Sequence, residues 1–243
     1  MDEERKMTFG EHLEELRTRL LISIAAVVIG FVICLIFSSY ILTFLNAPIL
    51  QTLKSFDTPN KLKIKNLSDP FILLLQVSLV FGVVLASPVI FWQMWKFVSA
   101  GLYKSERRYV YIFAPLTLGL FLAGAALSYF MMAEFGLRFF LSVVPITQYE
   151  PDIDALKYLN FMLQFSLVMG LVFELPIVMM FLIKTGIVDI NTFRKQRRIA
   201  ILVIFIIAAV LTPPDVFTMF LMGVPMLFLY ELGIILGRMR FKK

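Results

Sequence analysis

Residues 20–37 read LLISIAAVVIGFVICLIF, an apolar run that contains no charged side chain. A membrane-spanning helix needs about 20 mainly apolar residues, so residues 20–42 are predicted to form one span. Three glutamates, Glu11, Glu14 and Glu15, precede the run, and no small-residue cleavage pattern follows it. These features favour a retained span over a cleaved signal peptide.

The rest of the chain has the same character. Of the 243 residues, 60% are hydrophobic and 16% are charged, whereas an ordinary soluble domain is about 45–50% apolar and about 25% charged. We therefore predict an all-α membrane protein, a single multi-pass domain over residues 1–243, and exclude a soluble enzyme, a disordered chain and a disulfide scaffold. The six predicted spans are residues 20–42, 71–97, 110–135, 159–183, 199–211 and 216–236.

The fifth span is short. Residues 199–211 provide only 13 apolar positions before Thr212, and such a helix rises about 20 Å where the hydrocarbon core measures about 30 Å. Two interpretations remain open. The last two segments form either a hairpin that does not cross the membrane or two short spans in a thinned bilayer.

The basic residues predict the orientation. With six crossings, 17 of the 23 lysines and arginines lie on the side of both termini and 6 lie on the other side. Cytoplasmic loops carry the excess of Lys and Arg, so both termini are predicted to be cytoplasmic. The net charge of +6 then reflects topology, and we predict no nucleic-acid partner.

Proline positions and long connections suggest the shape. Proline in a helix removes a backbone hydrogen bond and tends to kink the helix, so we expect a kinked, concave bundle. The prolines inside predicted spans are Pro88, Pro115, Pro176 and Pro225. Two outer connections are long, residues 43–70 and 136–158, and the LRFFLSVV string in the second is expected to lie along the membrane surface.

The residue types needed for catalysis or metal binding are scarce. Cys34 is the one cysteine and His12 the one histidine, which excludes a disulfide within the chain and a two-histidine metal site within one copy. We find no nucleophile, base and acid set and no phosphate-binding glycine loop. We therefore predict no enzymatic activity, no cofactor and no metal.

The N-terminal segment has the pattern of a surface helix. Thr8 and Glu11 have capping-box spacing, and an apolar stripe follows at Leu13, Leu16 and Leu20. Glu15 permits two interpretations. It pairs with Arg19 four residues later on an amphipathic helix, or its carboxylate receives a cationic partner at the membrane surface.

Two further acids stand out. Glu106 is the one acid in residues 97–108, where it either pairs with Lys104 or Arg107 or has a binding role. Glu174 lies well inside the fourth predicted span, where a carboxylate costs several kcal/mol unless it is paired, hydrated or protonated.

Glu174 either meets a partner or is a protonated structural acid that hydrogen-bonds Gln164 or Gln93. Outside the spans, Asp215 follows Pro213 and Pro214, and we predict that it caps the sixth helix.

Several strings, taken in order, resemble the TatC family, the receptor subunit of the twin-arginine protein translocase. They are HLEELRTRLL at residues 12–21, Asn46-Ala47-Pro48, FWQMWKFVSAGLYKSERR at residues 91–108, FELP at residues 173–176 and TPPD at residues 212–215. The resemblance covers nearly the whole chain. Ala100 and Lys104 depart from it, since proline is frequent at both positions in the family.

This resemblance implies a function. TatC-like proteins bind the Arg-Arg signal peptide of folded cargo and recruit TatA-like and TatB-like single-span proteins for export driven by the proton-motive force. The implied location is the bacterial cytoplasmic (inner) membrane, and the implied state is an oligomer within a larger complex in contact with membrane lipid.

The resemblance also assigns site residues. The signal-peptide site maps to Glu15 and Glu106, supported by the residues Arg17, Pro48, Phe97 and Leu102. The contact with a partner helix maps to Glu174. The alternative function is a proton-coupled secondary transporter that uses Glu174, although the spans offer few other polar residues for a substrate: Gln76, Gln93 and Gln164.

Overall fold

The structure, a computed structural model, describes residues 9–56, 61–101, 110–143 and 152–240. These residues are almost entirely helical, and the extended pairing among them is one isolated parallel bridge between Lys63 and Asp154. The prediction of an all-α protein is confirmed. The helices are α1 Phe9–Ile36, α2 Ser38–Ser55, α3 Asp69–Ala100, α4 Val110–Met131, a π-helical turn Met132–Gly136, α5 Leu137–Val143, α6 Ala155–Val172, α7 Leu175–Lys184, α8 Ile190–Lys195, α9 Arg197–Leu211 and α10 Val216–Arg240.

Five described segments are long and apolar enough to cross a membrane: Gly10–Ile36, Asp69–Ala100, Tyr111–Val143, Ala155–Lys184 and Val216–Arg238. The sixth apolar helix, α9, has 15 residues and rises about 22 Å. The fifth predicted span is therefore short, as the sequence indicates. By contrast, α10 has 25 residues and extends beyond the predicted range.

Helix α1 begins well before the apolar run that predicts the first span. The charged segment ahead of residue 20 belongs to the same helix, because Glu, Leu and Arg are good helix formers and Glu15 pairs with Arg19 one turn later. The predicted surface helix and the first predicted span are thus one element.

Two helices occupy segments predicted as outer connections. Helix α2 covers residues 38–55 and buries Leu45, Ile49 and Leu53, which recur every four residues on one face. Residues 137–143 of the LRFFLSVV string form α5, which the π-helical turn joins to α4 in one helical run. The location of this string along the membrane surface stays a prediction.

One proline interrupts its predicted span, and the other three lie within continuous helices. Pro88, Pro115 and Pro225 are inside α3, α4 and α10. In contrast, α6 ends at Val172 and α7 begins at Leu175, so Pro176 occupies the first turn of a new helix. Proline is tolerated in that turn because its missing N–H has no partner there.

The described residues fall into two compact units. The first unit contains residues up to Ile41 together with those from Leu74 to Gly119, and its helices α1 and α3 run antiparallel. They approach closely at two glycines, since a Cβ built on Gly30 would lie 2.5 Å from the Gly82 carbonyl oxygen. The single domain predicted over residues 1–243 stays a prediction.

The second unit contains residues 42–73 and those from Leu120 onward. Its core is rich in methionine and joins α6, α7, α9 and α10; buried members include Met169, Met179, Met222 and Met226. Helix α9 contributes only Ile204 and Ala208 as buried residues, and its other apolar side chains are exposed or half-buried.

We predict that Gly82→Ala destabilises the first unit. A Cβ on Gly82 would lie 2.7 Å from the backbone nitrogen of Phe31, so α1 and α3 must separate at a cost of about 1–3 kcal/mol. Thermal unfolding of the purified protein in detergent measures this change. Gly119→Ala is the control, because a Cβ there meets nothing within 4 Å, and equal melting temperatures for the two variants would contradict the prediction.

Candidate functional site

In its first turns, the face of α1 that packs against α3 is polar. His12, Glu15 and Arg19 lie three and four residues apart, so they share one side of the helix, and all three are half-buried. The predicted leucine stripe does not form the packed side. Its members are exposed by 42–55%: Leu13, Leu16 and Leu20.

Glu15 and Arg19 form an ion pair that a third residue extends. Arg19 Nε donates to Glu15 Oε1 at 2.8 Å, and Arg19 Nη2 lies 2.7 Å from the same oxygen. Arg19 Nη1 donates to Gln93 Oε1 at 3.0 Å, and Gln93 is buried in α3. Among the described residues no bond is made to Glu15 Oε2, so one carboxylate oxygen stays open.

The end of α3 lies beside the first turns of α1. The rings of His12 and Phe97 stack with centroids 4.4 Å apart. Gly101, one residue beyond α3, is also close, because a Cβ built there would lie 3.9 Å from His12 Cε1. The structure therefore brings Phe97 to the face of α1 that carries Glu15.

The other predicted signal-peptide residues have different positions. Arg17 is exposed and is displaced from Glu15 by about 200° around α1, so it faces away from α3. Leu102 and Glu106 lie outside the described residues, as do the pairings considered for Glu106. Pro48 belongs to the second unit.

Pro48 is buried inside α2, where it frees a carbonyl group. Because proline has no N–H, the carbonyl oxygen of Phe44, four residues earlier, loses its helical partner. Tyr129 Oη–H donates to this oxygen at 2.9 Å, and the rings of Phe44 and Tyr129 stack at 4.6 Å. Tyr158 Oη–H donates to the neighbouring Leu45 carbonyl at 3.1 Å. The carbonyl that Pro48 frees is therefore the group through which Tyr129 binds α2 within this unit.

We predict that the Tyr129 hydroxyl and the Pro48 ring have coupled effects on the free energy of unfolding. Tyr129→Phe should cost about 1 kcal/mol of stability by leaving the Phe44 carbonyl unpaired. In a Pro48→Ala background the alanine N–H serves that carbonyl, so the same change should cost less. Unfolding of the four variants in detergent gives this coupling as a double-mutant cycle.

Tyr40→Phe provides the control, since Tyr40 lies in α2, the helix that contains Pro48, and is 75% exposed. A Tyr129→Phe effect of equal size in both backgrounds would contradict the coupling.

Glu174 lies at the break between α6 and α7. Its backbone is helical, but its side chain makes no capping hydrogen bond. Glu174 Oε1 is buried and has no hydrogen-bond partner among the described residues. Of the two glutamines considered as partners, Gln164 lies in the same unit, and its Nε2 donates to the Leu211 carbonyl oxygen at 3.4 Å.

Close helix contacts surround this break. A Cβ on Gly124 of α4 would lie 2.7 Å from the Met169 carbonyl oxygen and from Phe173 Cγ. On the α7 side, a Cβ on Gly233 of α10 would lie 3.3 Å from Pro176 Cα. Residues on both sides of Glu174 are therefore held by tight packing, which fixes the backbone that carries the carboxylate.

The turn before α10 is closed by Asp215. Asp215 Oδ1 accepts from the Thr218 N–H at 2.7 Å, and Oδ2 accepts from the Thr218 hydroxyl at 2.5 Å. This is the geometry of an N-cap, which satisfies a donor that the helix itself leaves free. Phe217 lies in the same turn of α10 and stacks on Phe139 of α5 at 3.7 Å.

The family described as "Sec-independent protein translocase protein (TatC)" matches residues 11–225 of the chain. The chain belongs to the TatC family. The match spans Glu15, Phe97 and Glu174.

Individual TatC relatives match along nearly their whole length. The Sec-independent protein translocase protein TatC of Desulforapulum autotrophicum is 40% identical over 99% of this chain and 88% of its own. The TatC of Carboxydothermus hydrogenoformans is 39% identical over 97% and 95%, and that of Aquifex aeolicus is 37% identical over 98% and 97%. These names give no support to a proton-coupled transporter.

Solved TatC structures share the fold. A crystal structure of the twin arginine translocase receptor TatC superposes with a TM-score of 0.84 at 36% identity and covers 94% of this chain and 99% of that one. A second, in DDM, gives 0.85 at the same identity and covers 93% and 99%. The chain is therefore a multi-pass membrane protein of the Sec-independent protein translocase family.

Sequence reasoning missed the role of Gln93 and the contact made by His12. A glutamine inside an apolar span is a signal for a polar contact, but its spacing within α3 does not reveal its partner in α1. From the sequence, His12 serves only to exclude a two-histidine metal site, and its stack on Phe97 depends on the register of the two helices.

Proposed function

We propose that this TatC chain is the receptor that binds twin-arginine signal peptides, with Glu15 as the acceptor for an arginine of the peptide. The observation that carries the proposal is the half-buried Glu15 carboxylate, which Arg19 holds through one oxygen while the other has no hydrogen-bond partner among the described residues. An arginine guanidinium donates directional, charge-assisted hydrogen bonds to such an oxygen, and a lysine ammonium lacks this planar fork.

Glu106 is the proposed acceptor for the second arginine, and Leu102 is proposed as a supporting residue. The support is the position of Gly101 next to His12, because five extended residues reach at most about 18 Å. We therefore propose that Glu106 acts together with Glu15 at the start of α1. Phe97, stacked on His12, offers an apolar surface for the peptide next to its arginines.

Arg17 and Pro48 are the other residues proposed to support the site. Arg17, on the other side of α1 from Glu15, supports it at the membrane surface, where basic side chains meet anionic lipid headgroups. Within the second unit, the carbonyl that Pro48 frees accepts a hydrogen bond from Tyr129.

Glu174 is the proposed contact with a single-span partner. Its buried Oε1 has no partner within the described residues, and an unpaired polar group at membrane depth is costly. A polar side chain on the transmembrane helix of a TatA-like or TatB-like protein would supply the missing hydrogen bond and favour assembly.

The proposed setting is the bacterial cytoplasmic (inner) membrane, with both termini in the cytoplasm. The excess of basic residues on the side of the termini supports this orientation. The receptor acts within a larger complex that exports folded cargo with the proton-motive force. No metal or cofactor takes part in the proposed recognition, which rests on carboxylates and apolar contacts.

We predict that Glu15→Gln and Glu106→Gln each weaken binding of a twin-arginine peptide by about tenfold or more, because each removes a charge-assisted hydrogen bond. Titration of a fluorescent peptide against the purified protein in detergent measures this loss. Glu14→Gln is the matched control, since Glu14 is exposed on the same helix. Undiminished binding by the double variant would rule out these acceptors.

We predict that Glu174→Ala reduces co-purification with single-span partners and reduces export, while Glu174→Gln retains part of both because its amide still forms hydrogen bonds. Glu134→Ala serves as the control, because Glu134 pairs with Arg138 and both side chains are about 60% exposed. Unchanged partner recovery and export with Glu174→Ala would show that this carboxylate has no role in assembly.

A further inference from the structure

We infer that Arg19, anchored on Gln93, is the residue that sets the preference of the Glu15 site for arginine over lysine. This inference rests on the proposed role of Glu15 in peptide binding, and it assigns the selectivity of that site to two residues that need not touch the peptide. The observation behind it is the three-residue chain from Glu15 through Arg19 to Gln93.

Arg19 fixes the direction in which Glu15 can accept. The two contacts of the guanidinium with Glu15, from Nε at 2.8 Å and Nη2 at 2.7 Å, both go to Oε1. This oxygen is occupied and the plane of the carboxylate is set, so a ligand meets Oε2 alone in a defined orientation. A donor with fixed N–H directions fits such an acceptor better than an ammonium does, because a lysine ammonium is compact, strongly hydrated and flexible.

Gln93 keeps Arg19 in place. Arginine has only donors, so Gln93 must present its oxygen to Nη1, as the 3.0 Å contact shows. Gln93 is buried at 8% exposure, whereas the Arg19 side chain is 25% exposed. The buried Gln93 side chain therefore anchors the half-buried Arg19 side chain. Rotation of Arg19 away from Glu15 would leave the Gln93 oxygen without this donor.

Arg19 also limits attraction that depends on charge alone. The positive charge of Arg19, in direct contact, offsets the negative charge of Glu15, so a generic cation gains little from approaching the pair. A site is selective when the wrong ligand loses its hydration and gains no matching hydrogen bonds or charge pairing in return. Without Arg19, the Glu15 carboxylate would keep its full negative charge and would attract any cation more strongly, lysine included.

The test compares affinities for a twin-arginine peptide and its twin-lysine analogue. We expect Arg19→Gln to bind the lysine peptide more tightly and to lower the ratio of the two affinities by about fivefold, roughly the contribution of one hydrogen bond. Gln93→Leu should lower the ratio in the same direction, although it leaves every charge in α1 unchanged. Arg19→Lys keeps the charge but cannot contact both partners as the fork does, so its ratio should also fall.

Gln51→Leu is the control for Gln93→Leu, because Gln51 is exposed in α2 and belongs to the other unit. A merely structural role for Arg19 would weaken both peptides equally, and that result overturns the inference. An unchanged ratio in Gln93→Leu and Arg19→Lys overturns it as well, even if Arg19→Gln fails to fold.

Glu15→Gln separates this inference from the proposed function. If Glu15→Gln abolishes peptide binding while the Arg19 and Gln93 variants keep the wild-type ratio, only the selectivity role is wrong. If Glu15→Gln binds the twin-arginine peptide normally, the proposed acceptor itself is wrong and the inference fails with it.

Discussion

A helix carbonyl that loses its partner to a proline needs another donor, and this constraint shapes two places in the described structure. Lipid offers no hydrogen bonds, so the protein must provide them. Pro48 frees the Phe44 carbonyl, which Tyr129 takes. Pro88 frees the Val84 carbonyl, which accepts from Ser87 Oγ–H at 2.7 Å.

The Glu174 carboxylate contrasts with these satisfied groups. Glu174 Oε1 is one of three buried side-chain oxygens without a hydrogen-bond partner among the described residues, together with Asn46 Oδ1 and Gln76 Oε1. Glu174 differs from the two amides because its charged form is far more costly to bury. Since tight glycine contacts fix the helices on both sides of it, local rearrangement is a poor route to satisfying it.

The sequence predicts the helical class and the approximate spans because apolar runs of membrane length have few alternatives. It predicts the pair of Glu15 and Arg19 because spacing within one helix is a local property. It does not predict that the N-terminal surface helix and the first span are one helix, that α2 occupies part of an outer connection, or that Gln93 meets Arg19. Contacts of this second kind depend on the register between helices, and α1 and α3 owe theirs to close packing at Gly30 and Gly82.

The sparse burial of helix α9 determines which substitutions this helix can accept during evolution. It buries only Ile204 and Ala208. Most of its other positions therefore require an apolar side chain, but not one of a particular shape. Exchanges among Ile, Leu, Val and Phe on that outer side should accumulate by neutral drift. Ala208 is fully buried, and a larger side chain there would have to displace the core. A single short helix would therefore combine positions that vary freely with one that stays small.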